Sequence, residues 1–192
     1  MFELPKSDFW DFSIAEYKRP EISELCLQLQ DDYGADINML LFACWLGKSG
    51  RGTVSTSAWR AMILRTSKWR DKVIRPLRSV RHILKDETLA PFSMKDNILK
   101  CEFDAEHIEQ LILEKEWGTG RRPHERTIVQ QIEDIADNLF SYLVAEDIDV
   151  DAKLGIRCER LIRLVTGYKD DKTLRSISKQ AQTSCTEGAR AS

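Results

Sequence analysis

The sequence has no long hydrophobic run. Its longest uninterrupted apolar stretch, Met39 to Leu46, is far shorter than the roughly 20 residues that a membrane-spanning helix needs. The acidic first residues, MFELPKSDFWDF, lack the basic-then-apolar order of a secretory signal. We therefore expect a cytoplasmic protein that has no membrane partner.

Cysteine pairs and metal-ligand spacings are also missing. The five cysteines are widely spaced, odd in number and form no Cys-x-x-Cys pair, which argues against a disulfide framework and against structural zinc. Most of them fall on apolar helix positions, so we expect buried and reduced thiols. The five are Cys26, Cys44, Cys101, Cys158 and Cys185.

Strand-like alternation of polar and apolar residues is absent too, and signals for helix ends recur instead. Ser7 and Asp36 are predicted N-cap residues, Pro20 suits the first turn of a helix, and Gly34 suits the residue after a helix. These signals predict three helices before residue 47, and the third of them is apolar nearly all round.

Longer segments of the chain carry one-sided apolar stripes. A stripe of this kind must be buried against another element, so the economical fold is all-α: a single helical bundle of six or seven helices over residues 1–168. Residues 169–192 are polar and rich in Ser and Lys, and we expect them to form a disordered C-terminal tail.

The fourth predicted helix covers residues 57–85. Its apolar residues repeat at alternating spacings of three and four from Trp59 to Leu84, with Trp69, Val73 and Val80 among them. Pro76 lies inside this run and removes one helical hydrogen-bond donor, which predicts either a kink or a break into two helices.

Gly47-Lys48-Ser49 is the one sequence that resembles a phosphate-binding loop. Such a loop needs a glycine six residues before the lysine and a strand in front of it. Here Phe42 occupies that position, and the preceding segment reads as a helix. We therefore predict that Gly47 takes the left-handed conformation that closes the third helix, and we expect no nucleotide binding.

The acidic segment 102–109 offers no complete metal site. Asp104-x-x-His107 is an imperfect version of the Glu-x-x-His motif of di-iron bundles, and the sixth helix supplies no histidine to complete it. The simpler interpretation of this segment is a solvated acidic face. Since no nucleophile or acid–base set is recognisable either, we expect no metal, no cofactor and no enzymatic activity.

Charge is arranged in blocks, although the net charge is only −2. Residues 48–85 contain 11 basic residues and one acidic residue, whereas residues 86–151 contain 6 and 17. The basic helix can bind an acidic partner, either a protein or a structured RNA, or it can pair internally with the acidic helix 94–116. The candidate partner-binding residues are Arg65, Lys68, Lys72, Arg75 and Arg78.

A regulatory or adaptor protein that uses this basic helix is the main functional hypothesis. The alternative is an enzyme or carrier that binds a small apolar ligand in the helical core, with Asp36, Asn38, Trp45 and Trp59 as the candidate pocket. Asn38 places a polar amide in the first turn of an apolar helix, so it needs partners if it is buried. We expect a neighbouring backbone group to satisfy it.

Three stretches of the sequence are distinctive: Phe9-Trp-Asp-Phe-Ser13, LQDDYGADINMLLFACWLG at 29–47, and CEFDAEHIEQLIL at 101–113. They resemble a bacterial family of small all-helical cytoplasmic proteins that is catalogued only as a domain of unknown function. The resemblance spans roughly residues 8–115 and is best at 29–47. The resemblance implies a bacterial cytoplasmic protein. It assigns no catalytic residue to this sequence.

Overall fold

The computed structural model describes residues 4–118 and 123–190. Within these ranges the chain forms nine α-helices and two π-helical turns and contains no strand, which confirms the predicted all-α fold. The helices are α1 (Asp8–Tyr17), α2 (Pro20–Tyr33), α3 (Ile37–Lys48), α4 (Thr56–Trp69), α5 (Arg75–Asp86), α6 (Phe92–Leu113), α7 (Ile128–Ala145), α8 (Ala152–Thr166) and α9 (Asp171–Arg190). The π-helical turns are Arg70–Ile74 and Glu114–Gly118. No helix within the described ranges combines the length and the apolar character needed to cross a membrane.

The predicted N-caps of α1 and α3 and the predicted end of α2 are confirmed. The Ser7 hydroxyl accepts a hydrogen bond from the Trp10 N–H (3.0 Å), and the Asp36 carboxylate accepts one from the Met39 N–H (3.2 Å). Gly34 ends α2 with a left-handed φ of 73°. Local sequence signals therefore decide where these helices begin and end.

The centre of the core is α3, which packs closely against α7. Every residue of α3 from Met39 to Gly47 is buried. Gly47 lies where the two helices approach most closely, since a Cβ atom at that position would be 2.5 Å from the backbone nitrogen of Ile135. The helix continues to Lys48, so the helical interpretation of the Gly-Lys-Ser motif is confirmed. The predicted left-handed conformation of Gly47 is wrong, because Gly50 (φ 74°) takes that conformation after the helix.

Pro76 neither breaks nor simply kinks the predicted fourth helix. The helical path continues from α4 through the first π-helical turn into α5, where Pro76 occupies the first turn. In the π-helical turn the Arg75 N–H donates to the carbonyl of Arg70, five residues back. A π-helical hydrogen bond spans one residue more than an α-helical one, and the turn thereby absorbs one extra residue just before the proline.

The buried face of this helix differs from the predicted one. The predicted stripe runs through Trp69, Val73 and Val80, whereas Arg70 and Ile74 are the buried residues of the π-helical turn, and Val80 is 38% exposed. Arg70 follows the buried Thr66 of α4 at a spacing of four, so it lies on the same face. The π-helical turn rotates only the side chains that follow it.

The predicted disordered tail is wrong where the structure describes it, because residues 171–190 form α9, which packs against α7 and α8. Leu174, Ser178 and Ala181 of α9 are buried, at spacings of four and three residues. This spacing places them on one helix face. The overall polar composition of the segment hides this narrow stripe, and the helix is stabilised by burying it.

Candidate functional site

A cluster of buried polar side chains lies where α6 meets α3 and the first π-helical turn. Three polar residues of α6 are almost fully buried: Glu102 (5% exposed), Glu109 (0%) and Gln110 (2%). The prediction that the acidic segment 102–109 forms a solvated face is therefore wrong for Glu102 and Glu109, although Asp104 is exposed. Helix α6 turns these polar side chains inwards because neighbouring helices supply hydrogen-bond donors and cations there.

Asn38, in the first turn of α3, is held by α6. Its amide nitrogen donates to Glu109 Oε2 (2.7 Å), and its amide oxygen accepts from Gln110 Nε2 (2.8 Å). The same Gln110 nitrogen also donates to Ser13 Oγ of α1 (2.8 Å). The expectation that Asn38 satisfies a backbone group is therefore wrong, since its partners are side chains of another helix.

Arg70 is the cation of the buried cluster. Its guanidinium lies 3.4 Å from Asp36 Oδ2 and 3.9 Å from Glu146 Oε1, and the residue is only 6% exposed. Asp36 thus caps α3 with one carboxylate oxygen and pairs with Arg70 through the other. The Asp36 N–H donates to the hydroxyl of Tyr142 on α7 (2.7 Å). Arg70 reaches this position from the same helix face as the buried Met62 and Thr66, which lie eight and four residues before it.

The cluster contains more carboxylates than Arg70 can neutralise. Burial, together with the negative charge of Asp36, raises the pKa of Glu109 to about 8, although the Asn38 hydrogen bond and Arg70 act in the opposite direction. Burial also raises the pKa of Glu146. Glu109 therefore holds a proton at neutral pH. Among the described residues, no group of three His, Cys, Asp or Glu side chains is arranged to hold a metal ion.

A second set of ion pairs joins α5 to α6. Arg78 donates to Glu102 (3.2 Å), to Glu106 (2.8 Å) and to Gln30 of α2 (3.2 Å). Arg81 pairs with Glu102 as well. Internal pairing with α6, one of the two interpretations of the basic helix, therefore applies to Arg78 and Arg81. Arg78 was a predicted partner-binding residue, but its guanidinium is already bound to these carboxylates.

The remaining predicted partner-binding residues point outwards. Arg65 and Arg75 are exposed and make single surface ion pairs, with Glu116 (3.3 Å) and Asp71 (2.9 Å). Within the described part of the chain, Lys68 and Lys72 are exposed and have no ion pair. We call Arg65, Lys68, Lys72 and Arg75 the exposed basic surface.

Internal pairing explains most of the basic block but not all of it. Eight of the 11 basic residues in 48–85 lie within ion-pair distance of a carboxylate, which leaves three without one in the described structure. The three are Lys68, Lys72 and Lys85. Exposed ion pairs contribute about 0–1 kcal/mol each, so the surface pairs of Arg65 and Arg75 can be exchanged for a partner's carboxylates at little cost.

The predicted pocket residues fall into an aromatic pair and a polar pair. Trp59 is fully buried and Trp45 is 3% exposed. The ring of Phe42 lies between them, 5.5 Å from Trp45 and 6.0 Å from Trp59. Asp36 and Asn38 belong to the polar cluster at the opposite end of α3. The two tryptophans and Phe42 therefore belong to one packed aromatic cluster.

Sequence reasoning missed several members of the polar cluster: Ser13, Arg70, Gln110, Tyr142 and Glu146. One signal was present, because Glu102, Glu106 and Glu109 repeat at spacings of four and three and therefore share a helix face. Arg70 was missed because the predicted stripe continues through Trp69, although Arg70 follows Thr66 at a spacing of four and therefore shares its face.

Comparison with known proteins identifies one family. A family model described as a protein of unknown function (DUF2390) matches residues 8–113, which is more than half of the chain. The matched segment runs from α1 through α6, so it includes Asn38, Arg70 and Glu109 of the polar cluster and the whole exposed basic surface. No curated protein and no solved structure matches the chain.

Proposed function

The chain belongs to this family of unknown function, and we propose that it is a non-enzymatic adaptor that docks an acidic partner protein through the exposed basic surface. The observation that carries the proposal is the division of the cations between two environments. Arg70, Arg78 and Arg81 face buried or half-buried carboxylates, whereas Lys68 and Lys72 have no carboxylate partner in the described structure. A cytoplasmic location, in which all five cysteines remain free thiols, is part of this proposal.

The arginines that face inwards stabilise the fold and are already bound to carboxylates of this chain. They therefore fix the position of the helix that carries the outward-facing cations, and those cations remain available to a partner. Arg70 fixes the first π-helical turn to α3 and α7 through Asp36 and Glu146, and Lys72 lies in that same turn. A rigid surface loses less conformational entropy on binding than a flexible one. Clustered cations on such a surface also attract an acidic partner over a distance and increase its association rate.

The alternative, a carrier of a small apolar ligand, is not supported by a specific contact, since Phe42 occupies the space between the two tryptophans.

Charge reversal tests the proposal. The variant Lys68→Glu/Lys72→Glu/Arg75→Glu should lose partner proteins that the wild type captures from a lysate of its host at low salt. The matched control reverses three other exposed cations, Arg160, Lys169 and Lys179, which lie on and between α8 and α9 and have no ion pair in the described structure. Both variants change the net charge by the same amount, so only the position of the charge differs.

Capture by the wild type should also weaken between about 0.05 and 0.5 M salt, because the Debye length becomes several-fold shorter over this range. The proposal is wrong if the triple variant keeps the partners of the wild type, or if the control variant loses them to the same extent. Loss of the partners after nuclease treatment would identify RNA instead of a protein. Thermal unfolding of both variants should match the wild type, since every changed position is exposed.

A further inference from the structure

Exposed hydrophobic side chains are concentrated in one part of the structure. Eleven large hydrophobic residues of the described chain are exposed, and seven of them lie between residues 80 and 103. The seven are Val80, Ile83, Leu89, Phe92, Met94, Leu99 and Phe103. Single exposed hydrophobic residues are ordinary in soluble proteins, but a cluster of this kind indicates a surface that another molecule covers.

The cluster lies on a helical hairpin whose side chains are mostly exposed. The hairpin consists of α5, the connection after it and the first half of α6. Between residues 75 and 101 only Leu84 is buried. Cys101, one of the cysteines discussed above as candidates for burial, is exposed, and so is Met94. Helix α6 enters the body only in its second half, where Glu102, Glu109 and Gln110 are buried.

Three of these residues form a stripe along α6. Phe92, Leu99 and Phe103 are spaced by seven and four residues, which places them on one face of the helix. The stripe continues onto α1, because the rings of Phe103 and Trp10 are in edge contact, with centroids 4.7 Å apart. We call Phe92, Leu99, Phe103 and Trp10 the apolar stripe.

The charges around the apolar stripe select one kind of occupant. By helical spacing, Lys95 and Lys100 lie on its two sides, and Asp96 lies along it. Arg78 and Arg81 are already paired with Glu102, so the charges beside Phe92 and Leu99 are two lysines against one carboxylate, and a second copy would bring these lysines together. A helix with acidic flanks complements these charges instead.

We infer that the apolar stripe binds an amphipathic helix of the partner protein, whose hydrophobic face covers Phe92 and Leu99 and whose flanking carboxylates pair with Lys95 and Lys100. The inference rests on the proposed function, since it names the part of the acidic partner that the adaptor recognises. An amphipathic helix in this position would use the recurring recognition mode in which residues at i, i+3 or i+4, and i+7 contact a hydrophobic surface.

Peptide binding tests the inference directly. The probe is a fluorescently labelled helical peptide of about 18 residues, or five turns, with leucines on one face and glutamates on its flanks. A twin peptide carries lysines in place of the glutamates. Fluorescence anisotropy should show that the full chain prefers the acidic peptide, and that Phe92→Ser/Leu99→Ser weakens binding at least about tenfold, or about 1.4 kcal/mol.

The control variant is Leu27→Ser/Ile156→Ser, which removes two exposed hydrophobic residues outside the hairpin (43% and 67% exposed). It should bind the acidic peptide as the wild type does. Equal binding of the two peptides, or unchanged binding by Phe92→Ser/Leu99→Ser, would overturn the inference. So would a wild-type dimer that this variant converts to a monomer in analytical ultracentrifugation, because the occupant would then be a second copy.

The same variants separate this inference from the proposed function. One outcome is that charge reversal at Lys68, Lys72 and Arg75 abolishes capture of the partner while Phe92→Ser/Leu99→Ser leaves it intact. In that case the adaptor function stands, and the inference that the apolar stripe binds an amphipathic helix is wrong. If both variants capture the partner normally, both proposals fail.

Discussion

Replacing Glu109 by Gln should stabilise the protein at alkaline pH and change its stability little at acidic pH. Glu109 is fully buried, and its pKa is raised from 4.5 to about 8. Glutamine has nearly the same shape and can still accept the hydrogen bond that Asn38 donates to Glu109. The substitution therefore removes a titrating group and retains the packing around it.

The magnitude follows from proton linkage. Between pH 4.5 and about 8, the folded protein keeps the proton on Glu109 and the unfolded chain does not. The free energy of unfolding of the wild type therefore falls by about 1.4 kcal/mol per pH unit through this one group. From about pH 5 to 8, the free energy of unfolding of Glu109→Gln should rise by roughly 4 kcal/mol relative to that of the wild type. This difference should level off above about pH 8.

The assay is urea unfolding of both proteins at a series of pH values, analysed as the difference in the free energy of unfolding so that groups common to both cancel. Asp104→Asn, which changes an exposed carboxylate on the same helix, should follow the wild-type curve. A difference that stays constant with pH would refute the reasoning, because it would mean that Glu109 is ionised in the folded protein and stabilised by Arg70. A variant that is less stable at every pH would lead to the same conclusion.

Two further substitutions test the packing. Gly47→Ala should lower the free energy of unfolding by about 1–3 kcal/mol, because its Cβ would lie 2.5 Å from the Ile135 backbone nitrogen. Gly155→Ala in α8 is the control and should be neutral or stabilising, since the nearest atom is the end of the Gln182 side chain; equal effects would contradict the close α3–α7 approach. Leu174→Ala should lower the free energy of unfolding by about 2–5 kcal/mol and make α9 more sensitive to limited proteolysis, because Leu174 is buried. If the tail were disordered, the substitution would change neither quantity.

The candidate site was predictable only in part. The concentration of basic residues identified the exposed basic surface, because charge can be counted without knowing the fold. Arg78 was assigned to the same surface, yet it pairs with Glu102 and Glu106. Phe92, Leu99 and Phe103 were not recognised as an exposed stripe, since periodicity shows which residues share a face but not whether another helix covers that face.

The amino-acid sequence alone determined the all-α class and the helix ends at Ser7, Gly34 and Asp36, because capping and turn conformations depend on neighbouring residues. It also excluded a phosphate-binding loop at Lys48. Only the tertiary structure decided which side of each helix is buried. Arg70 lies on the same helix face as the buried Met62 and Thr66, and Asp36 and Glu146, which are distant in the chain, supply the carboxylates that stabilise its burial there.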